Sequence, residues 1–176
     1  GYIALMAPQV KNEGVITAVM SGANSVALVS GQKVTLTFET GQALKVSVDA
    51  SVVKSLIENK RLVKVDGGLV IIAAGAANQL MSSVINNTGS IQAPSLVEKE
   101  GRIVLEGGSQ GIVQVGGSLN VGATDNAAKG GAVVATGDKV LVSGDARIDA
   151  TGPAGGGRIN IGGGWQGQDP DRKSVV

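Results

Sequence analysis

Asp145 and Asp149 flank Arg147 at two-residue intervals, which on an extended strand places both carboxylates on one face. Two carboxyls on one surface are the minimum equipment for glycoside hydrolysis, one as acid and one as base or nucleophile. Their spacing decides against it. Retaining hydrolases hold the pair about 5 Å apart and inverting ones about 6.5–9.5 Å apart, whereas residues four apart on a strand lie ~13 Å apart along the chain. With Ala146 and Ile148 on the opposite face, the three charges read as a solvated ladder. Asp66, Asp125 and Asp138 lie close to glycines, the usual habit of turn residues. The chain has no histidine and no cysteine, which removes imidazole acid–base catalysis, thiol nucleophiles, structural zinc and disulfides together. The Gly-Gly-x-Gly-x-Asp nonapeptide of calcium-binding β-rolls is missing, and Gly116-Gly117-Ser118-Leu119-Asn120 departs from it at once. The glycine runs 155–157 and 162–164 lead into neither a helix pattern nor Gly-Lys-Ser/Thr, so they do not make a phosphate loop. The expectation is a protein that is not an enzyme, with no catalytic residue, metal or cofactor.

What remains is binding chemistry. Trp165, the single tryptophan, is a candidate sugar-stacking platform or a cover over the end of a core. Tyr2, Arg102 and Arg158 are candidate surface or ligand contacts on the polar side of alternating strands. Asn86-Asn87-Thr88 forms one glycosylation sequon, with Asn86 as acceptor. Asn12, Asn59 and Asn87 recur at one position of a repeat and are expected to bond one another or the backbone of a neighbouring coil.

That repeat is the element-level fact. Val10-x-Asn12-x-Gly14-x-Ile16-x-Ala18 returns as Ile85-x-Asn87-x-Gly89-x-Ile91-x-Ala93 and as Val113-x-Val115-x-Gly117-x-Leu119-x-Val121. It returns again as Val140-x-Val142-x-Gly144-x-Ala146-x-Ile148, with Ile57-x-Asn59-x-Arg61-x-Val63-x-Val65 as a degenerate copy. The central positions 14, 61, 89, 117 and 144 are separated by 47, 28, 28 and 27 residues, a solenoid period. A second phrase, Gly-x-apolar-x-apolar, starts at Gly1, Gly68, Gly101, Gly131 and Gly157, with Asn24 heading a sixth copy. Each phrase alternates with period two, as a half-buried strand does. The outward column of the second phrase is Tyr2, Ser25, Leu69, Arg102, Ala132 and Arg158, mixed and mostly tolerant of solvent. The two-residue turns that antiparallel hairpins need are mostly missing, so like strands stack in parallel. The fold class is all-β, a right-handed parallel β-helix, with residues 1–176 as one segment of a longer fibre.

Composition agrees. Hydrophobic residues make up 43% of the chain but aromatics only 2%, which suits a narrow interior of Val, Ile, Leu and Ala. A net charge of +1 gives no electrostatic case for nucleic acid. No apolar run reaches the ~18 residues of a membrane span, and no signal peptide is visible. Two departures from the plain coil are expected. Residues 33–48 alternate on both sides of Glu39-Thr40-Gly41-Gln42, giving a hairpin-like insertion. The apolar pairs Val52/Val53 with Leu56/Ile57, and Leu80/Met81 with Val84/Ile85, predict two short corner helices at about 50–58 and 76–86, the first capped by Asp49 or Ser51. Residues 165–176 read as a partial coil. The chain opens on a strand without an initiator Met, as a piece cut from something longer, and its ends are expected to self-associate end to end.

Residues 1–16 (Gly-Tyr-Ile-Ala-Leu-Met-Ala-Pro-Gln-Val-Lys-Asn-Glu-Gly-Val-Ile) and 26–36 (Val-Ala-Leu-Val-Ser-Gly-Gln-Lys-Val-Thr-Leu) resemble the filamentous haemagglutinin family of two-partner-secreted (TpsA-type) exoproteins. So do Leu56-Ile57-Glu58-Asn59-Lys60, residues 82–89, 137–140 and 146–150, and Ile161-Gly162-Gly163-Gly164-Trp165-Gln166-Gly167, in an order that covers essentially the whole chain. The family's Asn-Pro-Asn-type secretion motifs are absent, which places the segment downstream of them. The resemblance implies a β-helical adhesin fibre, secreted to the surface of a Gram-negative bacterium by an outer-membrane TpsB-type transporter. It implies a host-cell or surface receptor, a glycan among the candidates, and no catalytic residues. The alternatives are the stalk of a contact-dependent inhibition toxin and a β-helical polysaccharide-degrading enzyme.

Overall fold

The computed structural model describes residues 1–18, 24–37, 44–49, 55–75, 84–97 and 99–162. The chain winds as a parallel β-helix with three strands to a coil. The first coil holds β1 (Tyr2–Met6), β2 (Gln9–Asn12) and β3 (Val15–Ala18). The second starts with β4 (Ser25–Ser30), leaves the coil for β5 (Lys33–Thr37) and β6 (Lys45–Asp49), and resumes with β7 (Leu56–Asn59) and β8 (Leu62–Val65). The third is β9 (Leu69–Ala74), β10 (Val84–Asn87) and β11 (Ser90–Gln92); the fourth is β12 (Arg102–Glu106), β13 (Ile112–Val115) and β14 (Ser118–Asn120). The fifth is β15 (Ala132–Thr136), β16 (Lys139–Val142) and β17 (Arg147–Asp149), and β18 (Arg158–Ile161) begins another. Like strands stack into three parallel sheets, β1-β4-β9-β12-β15-β18, β2-β7-β10-β13-β16 and β3-β8-β11-β14-β17.

The register matches the repeat through the first four coils; in the fifth, Ile148 rather than Ala146 stands opposite Leu119, two residues later than the repeat places it. Val10, Ile57, Ile85, Val113 and Val140 form one inward column of the second sheet. Ile16, Val63, Ile91, Leu119 and Ile148 form the inward column of the third. These columns and their first-sheet counterparts Val26, Val70, Ile103 and Val133 meet in one continuous core. Each fully buried aliphatic contributes about 1.5–3 kcal/mol from desolvation, so a narrow interior without aromatics is sufficient.

The inserted strands β5 and β6 pair antiparallel, Val34 opposite Val48 and Leu36 opposite Val46, as the alternation of residues 33–48 predicts. They lie on the outer face of the first sheet. There Val34, Leu36, Leu44, Val46 and Val48 cover Ala27, Val29, Leu69, Ile71 and Ala73, making a second core outside the coil. Strands β4 and β9 are therefore buried at every residue. That corrects the outward column of the sequence reading: Ser25 and Leu69 are buried, and the column is divided rather than uniformly wet.

Among the described residues there is no helix. Residues 50–54 and 76–83 lie outside the described set, but 56–58 and 84–86, the described ends of the expected corner helices, lie in the strands β7 and β10. The physical reason is the outer face of the second sheet. Leu56, Val84 and Ile112 stack there half-buried, next to the inward Ile57, Ile85 and Val113. Two adjacent apolar residues then arise from a strand with both faces partly covered, and they imitate the paired positions of an amphipathic helix. Asp49 is the last residue of β6, where it faces Lys33 Nζ at 3.5 Å, rather than a helix cap. The expected partial coil at 165–176 lies outside the described residues.

Candidate functional site

The three asparagines form a ladder through the interior. Asn12 Nδ2 donates to Asn59 Oδ1 at 2.8 Å, and Asn59 Nδ2 donates to Asn87 Oδ1 at 2.7 Å. Asn87 Nδ2 ends the chain on the Gly89 carbonyl at 3.2 Å, and Asn12 Oδ1 accepts from the Gly14 amide at 3.1 Å. All three side chains are buried. In the next two coils the column becomes Val115 and Val142. Their backbones also bind the corner together: the Asn59 carbonyl accepts from the Thr88 and Gly89 amides, and the Asn87 carbonyl from the Gly116 and Gly117 amides. These groups use their donors and acceptors on one another and on the Leu62, Ser90 and Gly89 carbonyls, which ties successive coils together.

The glycines beside the ladder are required by closeness. A Cβ on Gly117 would land on the carbonyl oxygen of Gly89, and one on Gly89 would land on that of Arg61. The same holds where each coil enters the first sheet: a Cβ on Gly131 would strike the Gly101 carbonyl, and one on Gly157 the Gly131 carbonyl. Gly144, in the looser fifth corner, has nothing within 4 Å of a Cβ position.

The carboxylates do not converge. Asp145 lies in a turn, exposed, so it does not share the β17 face with Arg147 and Asp149 as the alternation predicts. The physical reason is that the fifth corner takes an extra turn, closed by the Ala146 amide on the Ser143 carbonyl at 2.9 Å. Asp149 instead closes its own turn, accepting from the Thr151 amide at 2.9 Å and hydroxyl at 2.8 Å, which holds its pKa below the usual carboxylate value. Asp66 sits in a turn before Gly67, whose φ of 55° is left-handed. Glu13 is exposed, and Lys11 at 2.8 Å lowers its pKa. No group of His, Cys, Asp or Glu among the described residues could hold a metal ion.

The surface candidates separate. Tyr2 is 58% exposed on the edge strand β1. Arg102 and Arg158 are exposed in the same outward column, one on each side of Ala132, beyond the inserted hairpin. The hairpin thus lies between Tyr2 and the two arginines. Asn86 is half-buried on the outer face of β10, between Glu58 and Gln114, within a strand rather than a loop. Trp165 lies outside the described residues.

Sequence reasoning missed a cleft at the corners that return the chain to the first sheet. It has a volume of about 520 Å³ and is lined by Leu96, Lys99, Lys129 and Arg158 among others. Its residues come from three corners of different length, so no periodic signal groups them.

No family model matches the chain, and no curated protein matches it. Among solved structures it is similar to the HMW1 secretion domain from Haemophilus influenzae, with a TM-score of 0.81 and 29% sequence identity. The match covers 97% of this chain and 42% of that one, so the chain spans less than half the length of the structure it resembles.

Proposed function

We propose that the chain is a β-helical segment of a secreted bacterial exoprotein of the two-partner type, carried across the outer membrane by a TpsB-type transporter and acting as an adhesive surface. The observation that supports this reading is the similarity along 97% of the chain to a secretion domain. The architecture is consistent with it. A coil that bonds mainly to its neighbours can be added one at a time as a chain emerges, and a chain without cysteine has no disulfide to form before export. Its product is surface rather than turnover: the interior is filled by aliphatic columns and an asparagine ladder, while Asp149 closes a turn and Glu13, Asp49 and Asp66 pair with lysines. Its partners are the transporter during export and a host-cell or surface receptor afterwards.

The test is to apply the fluorescently labelled 176-residue chain to epithelial cells and, separately, to a panel of acidic and neutral polysaccharides. Saturable retention on cells with no product from any polysaccharide is expected. Sustained depolymerisation would replace this reading with that of a carbohydrate-active enzyme. Absence of retention at micromolar concentration would reduce the segment to a stalk.

A further inference from the structure

Strand β4 leaves the coil through a two-residue link, Gly31-Gln32, and β5 and β6 fold back over the outer face of the sheet that β4 belongs to. Gly31 permits that reversal, because a Cβ there would strike the Val48 side chain. Lys33 and Asp49 face each other across the base at 3.5 Å. The side of the hairpin turned away from the sheet is exposed and polar, carrying Lys33, Thr35, Thr37, Lys45, Ser47 and Asp49. Among the described residues β5 and β6 pair only with each other. A two-stranded hairpin alone is at best marginally stable in water, so this one depends on what its apolar face covers.

That footing divides by order along the chain. Strands that precede the hairpin contribute Ala4, Ala27 and Val29. Strands that follow it contribute Leu69, Ile71 and Ala73 of β9 and Val104 of β12. Stabilisation scales with the apolar area removed from water, so the two alanines and one valine are the lesser share. Leu69 and Ile71, on the outward face of β9, are only 6% and 8% exposed. Strand β6 touches both β4 and β9.

We propose that the hairpin is a strap that closes only after the third coil is in place. Until β9 pairs with β4, the two strands extend from Gly31 with most of their apolar footing absent. Pairing of β9 brings Leu69 beside Ser25 and Ile71 beside Ala27, which completes the face. The strap then seats, and four coils, from Ala4 in the first to Val104 in the fourth, share one outer apolar cluster. In a chain that forms its coils in order from the N-terminal side, closure follows the third coil and opposes its loss. This step belongs to the folding of the chain itself and rests on neither export nor adhesion.

The test is pulse-labelled amide exchange during refolding of the 176-residue chain from urea, read strand by strand. Protection is expected in β4 and β9 first, and in β5 and β6 in a separate, later phase. At equilibrium, Leu69→Ala is expected to speed exchange in β5 and β6 by at least about tenfold, the least that truncating a buried leucine does. The rates in β10 and β13 stay at the parent's values, which excludes a general folding defect. Protection of β5 and β6 ahead of β9 or in step with it would overturn the assignment. So would unchanged exchange in β5 and β6 of Leu69→Ala.

Discussion

Asn59 carries the ladder in both directions. Replacing it with Leu leaves Asn87 Oδ1 without its donor in the buried column, while Asn12 Nδ2 keeps only the Leu62 carbonyl at 3.2 Å. An unsatisfied buried polar group costs about 1–3 kcal/mol, so urea unfolding of Asn59→Leu is expected to show a loss of at least that size. The glycines make a sharper contrast. Gly117→Ala drives a methyl into the Gly89 carbonyl and is expected to cost about 1–3 kcal/mol as overpacking. Gly144→Ala meets open space and is expected to stay within about 0.5 kcal/mol. A similar loss at both positions would mean that turn conformation, not stacking, selects these glycines. Asp149 and Glu13 are the described acids whose pKa is lowered, and Asp149 is the one held by its own turn. Its folded pKa lies below its unfolded value because the Thr151 amide and hydroxyl bond the charged form. Its contribution is therefore fully present above the ordinary aspartate pKa and is lost as the pH falls through the lower folded value. Thr151→Val removes the hydroxyl donor and keeps the amide, so a carboxyl-carbon NMR titration of that variant should show the Asp149 pKa moving up toward the ordinary value.

Most strands and their partners could be read from the repeat because each inward column repeats one residue type: Val10, Ile57, Ile85, Val113 and Val140 differ only in a methylene, whereas the longer fifth corner puts Ile148 where the repeat places Ala146. The Asn column was visible on the same ground. What lay outside the core was harder to see. The hairpin could be read from the alternation of residues 33–48, but not its place on the first sheet, because nothing in that alternation says what its apolar face covers. The sign of it was in the covered strands: Val26 to Val29 and Leu69 to Ala74 run apolar without alternation, as strands buried on both faces do. The corner helices gave way to strand at 56–58 and 84–86 for the same reason, since a half-covered outer face writes adjacent apolar pairs into β7 and β10. The two cores also predict separable stabilities. In Val34→Ser/Leu36→Ser the hairpin should detach from Leu69 and Ile71 while the coils stay folded. Amide exchange would then accelerate in β5 and β6, with β13 and β14 unchanged. Uniform acceleration throughout would show that the hairpin is part of the coil's own cooperative unit.

At the scale of the whole molecule, the chain is a stack in which every coil offers its neighbour the same columns. That repeated stacking agrees with the similarity to a secretion domain. The most direct test of the proposed export is to express a protein carrying residues 1–176 in cells with and without a TpsB-type outer-membrane transporter. An antibody to residues 1–162 then detects the segment on intact cells and in the medium. The account predicts that it appears outside only when the transporter is present. Retention inside cells that have the transporter, or equal appearance outside cells that lack it, would contradict it.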